Sequence, residues 1–221
     1  MENVVDAFTE KILDKVFPCV AAKDALNKDN IKIMTAGHLG CPQDDERILD
    51  FIYDFTKKFR QREKGFHSAV ILFPRTQQLS EEQFEALLFQ RLKGLRTLDA
   101  KTFAYDTRVN EDPMSEDYSF SLMEEAFFII GLHPNSSRSA RQFSTTAIVF
   151  NPHIQFEDLR SNGRYQKMRK IVRKRDLEYS GSVNPMLTDF GTRSEIFQYS
   201  GRVHATDEKC PFDVGAAKTL S

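Results

Sequence analysis

The sequence predicts a single α+β domain spanning residues 1–221, with a central, mostly antiparallel sheet of about four to six strands flanked by helices and a loop-rich C-terminal segment. Three observations carry this. Short, nearly continuous apolar runs at 67–73, 126–132 and 145–150 read as buried strands, while longer stretches carry apolar residues at helical spacing. Proline or glycine punctuates the joints between them, and no linker or internal repeat divides the chain.

Taken in order, Val4, Val5, Phe8, Ile12, Leu13 and Val16 predict a first helix over residues 3 to 16, stopped by Pro18. A short strand is expected at Ile31–Thr35. The stripe Ile48, Phe51, Ile52, Phe55 and Phe59 predicts a helix near 43–63, acidic early and basic late as the helix dipole favours. After the strand at 67–73, Ser80 and Gln83 form a capping box, with Leu79 and Phe84 placed as a hydrophobic staple, so a helix over 80–96 follows. Residues 101–119 are rich in Asp, Asn, Pro and Ser without periodicity and are expected to form a surface loop or lid. Two central strands come next, ending at His133-Pro134 and at Asn151-Pro152-His153. A helix from about 154 to 177, with a possible break at Asn162-Gly163, turns Phe156, Leu159, Tyr165, Met168 and Val172 inward.

Composition bounds the function. A chain of 221 residues can bury roughly 70% of its unfolded surface, so no staple is needed. The cysteines, Cys19, Cys41 and Cys210, are odd in number and far apart, which argues against disulfides or structural zinc and fits a reducing cytoplasm. No run approaches about 18 uninterrupted apolar residues, so no membrane partner is expected. With 31 basic and 32 acidic residues, no global field recruits nucleic acid. The seven basic residues from Arg164 to Arg175 share their helix with Tyr165, Met168, Ile171 and Val172, and are expected to form a solvated outer face. Nineteen Phe, against six Tyr and no Trp, suggest a Phe-rich core around an apolar space.

Several residue groups could carry chemistry. His133 and His153 each stand where a rigid strand passes into a loop, a good placement for a metal ligand and an equally good one for an imidazole that caps a strand end. No HExxH or two-His-plus-carboxylate spacing accompanies them. Ser136, Ser137, Arg138 and Arg141 offer donors enough for two carboxylates or a phosphate, or else form a solvated loop. The Gly37 and Gly40 pair is too sparse for a nucleotide fingerprint. Cys19, beside Pro18, reads as a buried thiol.

Read together, Phe17 to Cys19, His133 to Arg141, Asn151 to Glu157, Gly163 to Tyr165, Arg175-Asp176, Gly181 to Leu187, Gln198 to Arg202 and Cys210 to Phe212 resemble the YqcI/YcgG family, with little contribution from 40–120. Gln142 stands where a second basic residue is expected before Phe143. Characterised relatives in that family are haem-dependent N-oxygenases acting on guanidine nitrogens. The resemblance therefore implies a haem b (iron) enzyme with Phe-rich walls, one axial ligand and propionates met by Arg138 and Arg141. An oxygenase keeps one axial position for oxygen, so only one histidine can serve. His153 is favoured because Pro152 stiffens its backbone, with His133, Cys19 and Cys210 as alternatives. Glu157, Asp189 and Glu195 are the candidate carboxylates for a guanidinium or amine of a small amino-acid-like substrate, with O2 and an external electron donor or reductase as the other partners. The alternative is a non-catalytic haem sensor or carrier using both histidines.

Overall fold

The computed structural model describes residues 3–61, 65–182, 191–204 and 212. They form one five-stranded mixed sheet built from β1 (Ile31–Thr35), β2 (Ser68–Phe73), β3 (Phe120–Leu122), β4 (Glu125–Leu132) and β5 (Thr146–Pro152), in the order β1-β2-β5-β4-β3. Only β1 and β2 run parallel; the remaining pairs are antiparallel. The helices are α1 (Val4–Leu13), α2 (Val20–Asn27), α3 (Asp45–Arg60), α4 (Glu81–Asp99), α5 (Ile154–Ser161), α6 (Tyr165–Ser180) and α7 (Ile196–Tyr199). The expected α+β architecture is therefore found. Among the described residues no helix is long and apolar enough to cross a membrane.

Every residue of β2 and β5 is buried, so the two-residue period of a strand must supply two different faces. Ala69, Ile71 and Phe73 of β2, Ile148 and Phe150 of β5, and Phe127 and Ile129 of β4 pack against Ile48, Ile52 and Phe55 of α3 and Phe84, Leu88 and Leu92 of α4. On the opposite face Val70, Leu72, Ala147, Val149 and Leu132 meet a smaller cluster led by Phe8 and Ile12 of α1. The capping box at Ser80 and Gln83 is present, and Leu79 packs on the larger core beside Phe84.

Local chemistry moves several expected boundaries. The first helix ends at Leu13, where the Asp14 side chain accepts from the Val16 amide and turns the chain, and Cys19 Sγ then caps the unforeseen α2 by accepting from the Ala22 amide. The helix expected over 154–177 is two helices. Gly163, with φ +71°, makes the break, and α6 runs on to Ser180 before Gly181 ends it at φ +74°. Residues 101–119 are tied down against the sheet. Tyr105 Oη donates to the Ser119 carbonyl at 2.7 Å, and buried Asp106 accepts from the Ala126 amide at 2.8 Å, fastening the segment along β3 and β4. Those strands are joined at Met123 and Glu124, both in left-handed conformation as a two-residue hairpin turn demands, and Arg60 of α3 donates to both carbonyls.

At Gly131 the sheet and α4 approach closely. A Cβ there would lie 2.6 Å from Phe84 Cζ and 3.0 Å from the Tyr199 carbonyl. Gly131→Ala is expected to lower the unfolding free energy by about 1–3 kcal/mol through overpacking, read as an earlier urea midpoint.

Candidate functional site

On the α1 side the sheet is not packed shut. Ser68, Val70, Phe128, Ile130, Val149 and Asn151 form the floor of a cavity of about 290 Å³, roofed by Phe8 and Ile12 of α1, Ala22 of α2, Phe156 of α5 and Tyr165, Met168 and Val172 of α6. The floor follows from strand alternation: Ser68, Val70, Val149, Asn151, Phe128 and Ile130 occupy neighbouring positions of β2, β5 and β4 on one face. The roof follows from helical spacing, which sets Tyr165, Met168, Arg169, Val172, Arg173 and Asp176 of α6 on one stripe toward the cavity. The basic run is thus not wholly an outer face, because Arg169 and Arg173 lie on the inward stripe. Steps of three and four from Tyr165 could have found them.

His153 stands at one end of this cavity. Its backbone amide donates to the Ala126 carbonyl at 2.7 Å as β5 passes into α5, and its ring is buried. Burial first, then the nearby Arg160 and Arg108 cations, lower its pKa to about 4, so the imidazole is neutral at pH 7. Its Nε2 lies 3.9 Å from Glu157 Oε1 and 4.0 Å from Glu195 Oε2. Glu195 is buried at the head of α7, and its Oε1 accepts from Ser119 Oγ at 2.6 Å and Tyr199 Oη at 2.8 Å. Burial raises its pKa to about 8 against the lowering effect of those two hydroxyls. Glu157 is more exposed, is paired with Arg160, and faces a smaller adjoining pocket together with Arg108 and the far side of His153.

The other cavity end holds Cys19, Arg138 and Arg141. Arg138 donates to Asp176 Oδ2 at 2.7 Å and to the Ser182 carbonyl at 2.9 Å. Arg141 donates to the carbonyls of Gly131, Gln198 and Tyr199, and burial lowers its pKa to about 10. Both guanidinium groups are engaged by protein acceptors. Burial also raises the Cys19 thiol pKa, which disfavours the thiolate that a metal would need.

Other expected members do not join the cavity. Ser137 donates through its amide and hydroxyl to Glu81 of α4, each at 2.9 Å, and Ser136 accepts from the Arg138 amide. His133 lies on the opposite sheet face, stacked on Phe84 at 4.3 Å, with neither ring nitrogen hydrogen-bonded. Because β4 and β5 are antiparallel, their C-terminal ends point in opposite directions, and the strand run between the two histidines, seven residue steps in this register, amounts to about 24 Å at roughly 3.4 Å per residue. The expectation that both strand ends build one site is corrected by that pairing. Asp189 and Cys210 lie outside the described residues. Among the described residues no three His, Cys, Asp or Glu side chains converge on a metal position.

The model of the YqcI/YcgG family matches residues 8–213. The uncharacterized protein YcgG of Bacillus subtilis (strain 168) is 27% identical over 206 residues, covering 89% of this chain and 80% of the relative. The uncharacterized protein YqcI of the same organism is 26% identical over 215 residues, covering 92% and 84%. No solved structure matches the chain significantly.

Two outcomes follow from this geometry. The folded state binds the Glu195 proton more tightly than the unfolded chain, so this group's stabilising contribution is full below about pH 4.5 and is lost as the pH rises to about 8. Glu195→Gln is expected to flatten that decline in urea midpoints measured across the same range. His133→Phe removes two unsatisfied ring nitrogens while keeping the stack on Phe84, and its thermal midpoint is expected to equal or exceed the parent's.

Proposed function

The chain belongs to the YqcI/YcgG family, and on that premise we propose that the cavity is a haem site and the protein a haem-dependent N-oxygenase of a small guanidine or amine substrate. The observation that carries this reading is the inward placement of the neutral His153 imidazole at the end of a Phe-, Val- and Ile-lined cavity large enough to accept a ligand. A metal ligand must be a deprotonated nitrogen, and burial keeps this one so. Iron already held by a porphyrin asks for a single protein ligand in an oxygenase, so one histidine suffices without a cluster of other donors. The residues present therefore fit the group. His153 would hold the iron, and the apolar floor of Val70, Ile130 and Val149 would lie against the macrocycle.

The cofactor, when bound, supplies oxygen activation: one atom of O2 goes to the substrate nitrogen, converting N–H to N–OH, and the other leaves as water with two electrons from an external donor and two protons. The chain's own part is positioning. Glu195, fixed by Ser119 and Tyr199, presents its second oxygen on the His153 side, where a guanidinium or ammonium group can pair with it. A bound cation would draw the raised Glu195 pKa back down and hold the carboxylate charged. Glu157, partly exposed and already paired with Arg160, is the weaker partner for that role. A sensor or carrier using both histidines as axial ligands finds no support, since His133 stands on the other face of the sheet.

Purified protein mixed with haem and gel-filtered is expected to retain a Soret band, to keep it in His133→Phe and to lose or shift it in His153→Ala. A parent protein that emerges without a Soret band ends the haem reading.

A further inference from the structure

α6 breaks a charge rule that α3, its equal in length, keeps. α3 places Asp45 and Glu46 in its first turn and Lys57, Lys58 and Arg60 in its last, as the helix dipole favours. α6 has Arg164 at its N-cap, no acidic residue in its first turn and no basic one in its last. Lys167, Lys170 and Lys174 follow at steps of three and four, so like charges share one face and repel. All four cations are exposed. Lys167 and Lys170 make no ion pair among the described residues, and Lys174 reaches only Glu178, at 3.9 Å, toward the far end of the face. Ile171 and Leu177 flank the row, 39% and 50% exposed. Dipole, like-charge repulsion and exposed apolar surface all disfavour this helix alone, and an acidic partner would relieve all three. The chain as a whole carries 31 basic and 32 acidic residues, so the patch is a local feature and not the result of a global excess. The opposite face of α6 sets Tyr165, Met168 and Val172 in the cavity roof. A body seated on the outer face is therefore separated from the cavity by the width of one helix, about 10–12 Å with its side chains.

We propose that the outer face of α6, with Arg164, Lys167, Lys170 and Lys174 around Ile171 and Leu177, docks an acidic electron-carrier protein. The partner's role rests on the haem reading, which needs two electrons from outside the chain; its charge rests on α6 alone. Each docking oxidises the carrier by one electron and reduces the cofactor by one, and two dockings supply the pair consumed with O2 and two protons. The cation row steers the encounter, and Ile171 and Leu177 give the complex an apolar centre.

The test titrates the full chain, unloaded and mixed with haem, into dye-labelled plant-type [2Fe–2S] ferredoxin and flavodoxin, two acidic carriers, with duplex DNA and phosphatidylserine vesicles as contrasting probes. At least one acidic carrier is expected to bind, with an affinity that falls as salt rises. Lys167→Glu/Lys170→Glu is expected to weaken that binding by at least about tenfold, and Lys167→Gln/Lys170→Gln by less. Both positions are exposed in the N-terminal half of α6, so the reversed charges should keep the parent's circular dichroism and a thermal midpoint no lower. In haem-loaded protein the reduced carrier is expected to reduce the parent faster than the variant, while dithionite reduces both alike. Carrier binding or carrier-driven reduction that is equal in parent and variant overturns the proposal, as does a folded parent that binds neither acidic carrier; a retained Soret band then leaves the haem reading standing. Binding of DNA or vesicles that the variant loses, with both carriers ignored, overturns it in favour of a phosphate-bearing surface. Carrier binding that depends on the lysine row, in a chain that retains no Soret band, keeps the docking face and ends the haem reading.

Discussion

Antiparallel pairing of β5 between β2 and β4 is the constraint on which the rest of the molecule depends. A strand buried on both faces hands alternate side chains to two environments, and one residue of slip would exchange them. Here one environment is the closed packing of α3 and α4, and the other is the gap beneath α1, α2 and α6. The inward polar residues of the central strands respect the division. Ser68 and Asn151 hydrogen-bond to each other at 2.7 Å on the cavity face, while Ile71, Ile148 and Phe150 occupy the other. The same pairing sends His133 and His153 to opposite ends and opposite faces, so it decides which of them can meet a ligand in the cavity.

Where the sequence carried a strong local signal, the structure was legible in it. The Ile31–Thr35 strand has the expected bounds, the capping box at Ser80 starts α4, and the Phe stripe of α3 faces the core. Signals that are short or depend on distant partners were not. α2 has only eight residues and a cysteine as its cap, and β3 has only three residues, too few to show alternation. Site membership was less legible still. Apolar runs ending in His-Pro and Pro-His look alike along the chain, because the direction of pairing, which separates them, is a property of two strands and not of either one. Arg169 and Arg173 were hidden for a different reason, since a dense basic run masks which of its members share the apolar stripe.

The Ser136 to Arg141 segment shows how similar a structural cation and an anion receptor look before their acceptors are known. A guanidinium has five donors in a fixed fork, and backbone carbonyls can occupy them as well as a carboxylate can. Arg141 is engaged in this way, tying the end of β4 to α7. Arg91 does the same on the other side of the sheet, where it pairs with Asp45 and gathers the carbonyls of His38, Leu39 and Cys41. Both positions organise turns around a buried charge.

The cavity's floor and roof come from different parts of the chain. β2, β4 and β5 join through backbone hydrogen bonds that close without the roof, whereas α1 reaches the sheet through side chains: Phe8 and Ile12 cluster with Val70, Leu72 and Val149, and Phe8 meets Phe143 of the β4–β5 connection edge to face at 5.5 Å. Whatever fills the gap therefore completes the apolar contact between these layers. Ligand affinity and the resistance of the roof helices to local opening become two readings of one free energy, so occupancy should be visible in the amide exchange of α1 and α6 as well as at the ligand itself.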